Sequence, residues 1–312
     1  MKLKQIGIIF VFFIMSAALT ACATVGSNPN LIQVVASTTM VGDVVKQIAG
    51  DKIELTVLYP VGSDPHTFEP RPQDVAAISN AQVIFLNGLE LEHSLEPVIE
   101  SNAKVDVVEV SDGVEVRQFS EIEQADPLAP ADDHDHAAGD PHTWMDPNCV
   151  MIWVENVEKE FTKLDPQNAE YYHQNAQNYL AQLNELDAWI REEVDKIPAS
   201  ERKLVTDHEN MGYFIQRYGF TLSGLVVDSL STAASPSAQA LSALQDVIKD
   251  QQVKAIFVGS TVNPALAQQI ARDTGVELFT IKTESLGEPG SDTDTYLKYM
   301  KTLVTTIVNG LQ

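Results

Sequence analysis

Two of the seven histidines in this 312-residue chain sit in nearly the same setting. His66 lies in Asp64-Pro65-His66-Thr67-Phe68-Glu69-Pro70, and His142 in Asp140-Pro141-His142-Thr143-Trp144-Met145-Asp146-Pro147. Both read Asp-Pro-His-Thr-aromatic with a further proline behind. Proline locks φ, so each imidazole is offered from a stiff loop, which is how a metal ligand has to be presented. A third histidine, His208, follows an apolar run at 203–206 and opens the next helical pattern, at the carboxyl end of a strand. Open α/β sheets bind their ligands at that edge. Three imidazoles so placed are suited to a divalent transition metal.

The other histidines have plainer surroundings. His93, in Glu90-Leu91-Glu92-His93-Ser94, and His173, between Tyr172 and Gln174, fall on helical stretches among polar neighbours and read as solvated. His134 and His136 lie in Asp132-Asp133-His134-Asp135-His136, where a disordered acidic loop and an auxiliary metal-collecting segment are both compatible with the composition. Cysteine chemistry contributes little. The chain has only Cys22 and Cys149, which cannot build a Cys-type zinc site, and Cys149 reads as a small buried apolar residue.

Positioning these side chains requires a scaffold, and the apolar runs supply one. Short β-rich runs at 31–36, 54–59, 82–86 and 104–110 alternate with helical patterns, and the alternation resumes at 203–206, 221–227, 254–258 and 277–281. Runs of that length separated by helices predict parallel sheets in an α/β architecture, four strands to each half. The halves resemble each other weakly. Between them, Tyr172, Ala176, Tyr179, Leu183, Leu186 and Ile190 alternate steps of four and three, one apolar stripe along a helix several turns long. Asp165-Pro166 supplies its start and Pro198 its stop. A helix packed within one half and a rigid helix crossing between two both fit that stripe.

Chain length and charge set outer bounds. At 312 residues, 44% apolar and 21% charged, the chain is globular and long enough for two domains. Its 20 basic against 44 acidic residues give a net charge of −24. Such a surface repels phosphate backbones and anionic lipid headgroups, which argues against nucleic acid and electrostatic membrane binding. The N-terminus has the order of a secretory signal: Lys2 and Lys4, an apolar stretch from Ile6 to Met15, then small residues. That stretch is well short of the roughly 20 residues of a spanning helix. Leu19-Thr20-Ala21-Cys22 resembles a bacterial lipobox, in which the cysteine takes a lipid and becomes the new N-terminus. Residues 23–30 are small and polar, as suits a tether.

These stretches, with Gly212-Tyr213-Phe214, Arg217-Tyr218-Gly219 and Thr283-Glu284-Ser285-Leu286-Gly287, make the chain similar to the solute-binding lipoproteins of bacterial zinc and manganese ABC importers. The likeness covers nearly all of it. It implies two Rossmann-like (β/α) lobes with parallel sheets, joined by one long rigid helix, and a metal site in the cleft between them. The implied division is a signal peptide at 1–21, a lipid-anchored tether at 22–30, lobes at 31–164 and 199–312, and the linking helix at 165–198. The implied ligands are His66 and His142 from one lobe and His208 and Glu284 from the other, with Cys22 the lipid site. Glu284 departs from the family's usual aspartate. One methylene longer, it can bind through one oxygen or two.

Three imidazoles and a carboxylate form an N3O set suited to Zn2+, with Mn2+ the alternative, since manganese sites are richer in oxygen. The expected function is extracytoplasmic capture of the ion and delivery to a membrane permease. The protein is expected as a monomer that meets the membrane only through its lipid. Two rival classes are a zinc-dependent extracellular hydrolase, built on the same residues, and a surface adhesin. No His-Glu-x-x-His pair, Gly-x-Ser-x-Gly elbow or Walker-type loop supports an enzyme, and an adhesin leaves the paired Asp-Pro-His-Thr loops unexplained.

Overall fold

The computed structural model describes residues 31–119, 139–227, 237–261 and 263–312. The signal segment, the tether with Cys22, and His134 and His136 lie outside the described residues. Strands β1 (Ile32–Ala36), β2 (Ile53–Val57), β3 (Val83–Leu86) and β4 (Val107–Glu109) form one parallel sheet in the order β2-β1-β3-β4. A second parallel sheet repeats that order as β6-β5-β7-β8, from β5 (Lys203–Thr206), β6 (Thr221–Leu225), β7 (Ala255–Gly259) and β8 (Glu277–Ile281). All eight strands overlap the apolar runs that predict them. β4 is shorter than its run because it is an edge strand, pairing with β3 over three residues only.

Helices cover both faces of each sheet, as parallel strands require. The first half carries α1 (Thr39–Ala49), α2 (Pro72–Asn80) and α3 (Glu96–Asn102), followed by α4 (Pro147–Leu164) and the long α5 (Ala169–Val194). The second carries α6 (Gly212–Tyr218), α7 (Ala238–Asp250), α8 (Ala265–Thr274) and α9 (Tyr296–Leu311). Among the described residues, no helix is long and apolar enough to cross a membrane. Local chemistry sets many of these ends. Thr38 caps α1 by accepting from the Val41 N–H at 3.1 Å, and α1 stops at Gly50, whose φ of 57° favours glycine.

The core has three parts. Val35, Ile84 and Leu95 belong to a cluster on one side of the first sheet, and Val205, Ile256, Leu244 and Ile270 to another on one side of the second. The third part joins the sheets. Val34 and Phe85 of the first share a continuous cluster with Leu204 and Phe257 of the second, through the buried faces of α1, α4, α5 and α9. Within it, every residue of the predicted stripe on α5 is buried. At 26 residues, this helix runs about 39 Å and packs on α4, α1 and α9, so it touches elements of both halves.

Chain return reinforces that union. The first N–H groups of a helix have no partner within it and favour a nearby carboxylate. At α9 the carboxylate comes from the other half: Tyr296 N–H donates to Asp43 Oδ2 of α1 at 2.9 Å. Burial raises the Asp43 pKa, opposed by this bond and by those from Gln47 and Tyr179. Leu286 N–H also donates to Thr39 Oγ1 at 2.9 Å, and Gly62 N–H to Ser285 Oγ at 2.9 Å. Asp43→Ala is therefore expected to cost about 1–3 kcal/mol, since it leaves a helix N–H and the Tyr179 hydroxyl without their acceptor. Urea unfolding at neutral pH measures it, and a midpoint equal to the parent's would show that this contact between halves carries no stability.

Candidate metal centre

Each Asp-Pro-His repeat folds as a local device. Asp64 Oδ1 accepts from the His66 N–H at 2.9 Å and Asp140 Oδ1 from the His142 N–H at 3.0 Å, so each aspartate caps the turn that carries its histidine. At His142 the same carboxylate also accepts from the ring, with Nδ1 2.8 Å from Asp140 Oδ1. This leaves Nε2 as the ring nitrogen that faces His66. His208 is built alike with other parts: its Nδ1 lies 2.7 Å from Asp207 Oδ2, while Asp207 Oδ1 accepts from the Gly259 N–H at 2.8 Å. His208 sits in the loop between β5 and α6, four residues before the helix starts, rather than at the helix opening that the sequence predicts.

The three rings converge. Their centroids lie 5.2 Å (His66 to His142), 5.6 Å (His66 to His208) and 5.5 Å (His142 to His208) apart, a nearly equilateral triangle. One nitrogen from each falls within 4.8 Å of the others, the one such donor group among the described residues. His66 Nε2 and His142 Nε2 are 3.1 Å apart. Tetrahedral nitrogen ligands at roughly 2.0–2.1 Å from zinc would stand about 3.3 Å from each other. Glu284, on the loop after β8, stands beside the cluster with Oε1 3.5 Å from His208 Nε2. His208 Nε2 and Glu284 Oε2 are both buried without a hydrogen-bond partner, two donor atoms suited to a cation.

Electrostatics favour a cation there. Burial alone would hold His208 neutral, but Asp207 and Glu284 outweigh it and push the imidazole up to about 9. Burial likewise raises the Glu284 carboxyl, against the pull of His142 and His208. The loop bearing Glu284 is pinned at the Thr283 carbonyl, which accepts from Trp144 Nε1 at 2.8 Å and from the Tyr299 hydroxyl at 3.0 Å. Trp144 belongs to the His142 repeat, so one motif supplies both a ring and a prop for the opposite loop.

Arg117 escapes sequence reasoning altogether. Its Nη1 donates to Asp140 Oδ2 at 2.8 Å and its Nη2 to Glu209 Oε1, both carboxylates being fully buried. One guanidinium thus joins the carboxylate behind His142 to the residue after His208. Gly212 makes room for it, because a Cβ there would stand 2.1 Å from Nη1. The run Val116-Arg117-Gln118 carries no pattern that singles Arg117 out. Other motif residues clamp the same seam: the Tyr213 hydroxyl donates to the Asp140 carbonyl at 2.9 Å, and Arg217 Nε to Asp146 Oδ2 at 2.6 Å.

The remaining sequence candidates fall elsewhere. His93 and His173 are exposed, beside Glu96 and Glu158. Cys149 is buried and unpaired among the described residues, and burial pushes its thiol up to about 12.

The family model for the periplasmic zinc-uptake complex component A matches residues 34–310. The chain is 32% identical to the manganese-binding lipoprotein MntA of Halalkalibacterium halodurans, over 99% of both chains. It is 30% identical to the iron ABC transporter substrate-binding lipoprotein MtsA of Streptococcus pyogenes, again over 99% of both. Among solved structures, the periplasmic zinc-binding protein TroA of Treponema pallidum superposes with a TM-score of 0.77 at 29% identity, covering 90% of this chain and 99% of that one. Matched over most of its length by a family model and nearly end to end by such relatives, the chain belongs to the zinc-uptake complex component A family, the metal-binding substrate-binding proteins of ABC importers rather than enzymes.

Proposed function

We propose that this protein captures Zn2+ outside the cytoplasm and delivers it to the membrane permease of an ABC importer. In this reading His66, His142 and His208 bind the ion through imidazole nitrogen and Glu284 through carboxylate. The observation that carries it is the convergence of three imidazoles, with Glu284 Oε1 3.5 Å from one of them, His208, and with His208 Nε2 and Glu284 Oε2 buried without a hydrogen-bond partner. Three nitrogens and one oxygen suit zinc at roughly 2.0–2.2 Å, whereas manganese binds such donors most weakly among first-row ions. Cys22 is the lipid anchor, residues 22–30 the tether, and the body a monomer with lobes at 31–164 and 199–312 linked by the helical segment 165–198. His134 and His136, a few residues before His142 in the sequence, serve as auxiliary collectors.

Manganese is the second reading, and the name of the relative MntA favours it. The donor set of this chain supports zinc instead. Two ligands come from each half, so parting the halves splits the set two and two. Such an ion can be held tightly and still be released by the permease.

Competition titrations of Zn2+ and Mn2+ test both the ligands and the ion. His208→Ala is expected to weaken zinc by about 100-fold or more, since even the loss of a ligand's hydrogen-bond partner costs 10–100-fold. His208→Glu should weaken zinc more than manganese, because it exchanges a nitrogen for oxygen. His93→Ala and His173→Ala should match the parent. Zinc binding by His208→Ala equal to the parent's would remove His208 from the ligand set.

A pH dependence follows from the raised His208 pKa. With a value of about 9, the cation-free imidazole carries its second proton at neutral pH, and a metal can take Nε2 only by expelling it. Affinity should therefore rise with pH up to about 9 and fall about ten-fold per unit below it, one proton being released per ion. Calorimetry at pH 7 in two buffers of different ionisation enthalpy counts that proton, and a count near zero would contradict the assignment.

A further inference from the structure

We infer that Asn87 and Ser111 seat the turn bearing His142 on the first sheet, and that this seat sets how tightly the site holds zinc. The inference rests on the ligand set proposed above. His66, His208 and Glu284 stand on loops that follow β2, β5 and β8, so the sheets place them directly. His142 differs. It precedes α4, and among the described residues no strand runs straight into its turn. Asp140 fixes the ring relative to the turn but not the turn relative to the sheet. Several other bonds of the turn lead to the second half: Tyr213 donates to the Asp140 carbonyl, Trp144 to the Thr283 carbonyl, and Tyr296 to the Trp144 carbonyl.

Strand ends of the first sheet take hold on both sides of His142. Asn87, directly after β3, donates from Nδ2 to the Pro141 carbonyl at 2.9 Å. Ser111, just after β4, shares a hydrogen bond of 2.9 Å between its Oγ and Thr143 Oγ1. The two grips are tied together, since the Ser111 N–H donates to the Asn87 carbonyl at 3.2 Å. Asn87, Ser111, Pro141 and Thr143 are all buried, so water does not stand in for either bond. Holding the Pro141 carbonyl fixes the plane of the peptide that enters His142.

Asn87 is itself held. The buried Glu92 accepts from the Asn87 N–H at 2.7 Å through Oε1 and from the Gly88 N–H at 3.1 Å through Oε2. These bonds close a bend in which Gly88, Leu89 and Glu90 have φ of 87°, 56° and 61°. Left-handed backbone at Leu89 and Glu90 is unfavourable and persists only where surrounding contacts impose it. Asn87 Nδ2 also donates to the Gly88 carbonyl at 2.9 Å, so one amide spans from the bend to the turn. Its orientation is fixed, because only the NH2 group can face two carbonyls. Asn87 Oδ1 is left buried with no partner. An apolar side chain would avoid that cost, and what the amide supplies in return is the bond to Pro141. Asn87 and Ser111 are thus positioning residues, acting through His142.

The test uses the full chain with Asn87→Ala and, on the other side of His142, Ser111→Ala. Competition titration against a chelator gives zinc affinity, which is expected to fall about ten-fold for Asn87→Ala, the low end for losing a partner outside the ligand shell. Two ligand variants separate this role from general stability. In a His142→Ala background Asn87→Ala should cost no further zinc affinity, whereas in a His208→Ala background it should cost about as much as in the parent. Equal losses in the two backgrounds, or parent affinity in Asn87→Ala itself, would overturn the inference. Should Asn87→Ala fail to fold, Ser111→Ala is read in the same two backgrounds by the same rule. His142→Ala alone tests the underlying ligand set: parent zinc affinity there means that the set is wrong, whereas weaker binding there with Asn87→Ala at parent affinity means that only the seat fails.

Discussion

Two buried carboxylates give the cleft its character. An imidazole offers a lone pair to a metal only from the nitrogen without a proton, so something must hold the proton on the other side of the ring. Asp140 does this for His142 and Asp207 for His208. A buried carboxylate is costly unless its remaining lone pairs are met. Arg117 meets those of Asp140, and the Gly259 N–H, at the end of β7, meets those of Asp207. The sheets therefore act on the imidazoles at one remove: strand ends and loops hold carboxylates, and carboxylates hold rings.

Placement of the donors follows from strand order. In both sheets the chain crosses from one side of the first strand to the other, and this switch point opens a crevice at the carboxyl ends. The loops after β2, β5 and β8 carry His66, His208 and Glu284, all at carboxyl ends of strands. Because the sheets share one core through α4, α5 and α9, the halves are not independent bodies on a flexible strand linker. Any parting of the donors has to work against that packing and against contacts such as Asp43 with Tyr296. The fold is suited to small adjustments of the cleft rather than wide opening.

The charge of the chain acquires meaning at the site. A net charge of −24 disfavours polyanionic partners but says nothing of where a cation would sit. In the structure, Glu284, Asp207, Asp140 and Glu209 are all buried around the three rings. Arg117 answers two of them. Glu284 is left to face the imidazoles, and it keeps an oxygen that no protein group fills.

Strands, stripe and histidines were legible in the sequence because their signals are local. Apolar runs of strand length, a three-four periodicity and an Asp-Pro-His turn are complete within a few residues, and backbone geometry turns each into one structure. The repeated turn needs only its own aspartate to present His66 or His142. Everything that orients these parts toward one another depended on contacts between residues far apart in the chain. Arg117 reaches Glu209 over 92 positions, Asn210 reaches Glu284 over 74, and Asp43 reaches Tyr296 over 253. No spacing rule connects such pairs, because their proximity comes from packing two sheets into a common core. The sequence alone thus marked which side chains are candidates to bind a metal. Tertiary structure decided how their protons, lone pairs and carboxylate oxygens are arranged, since those depend on neighbours that only the packed core brings together.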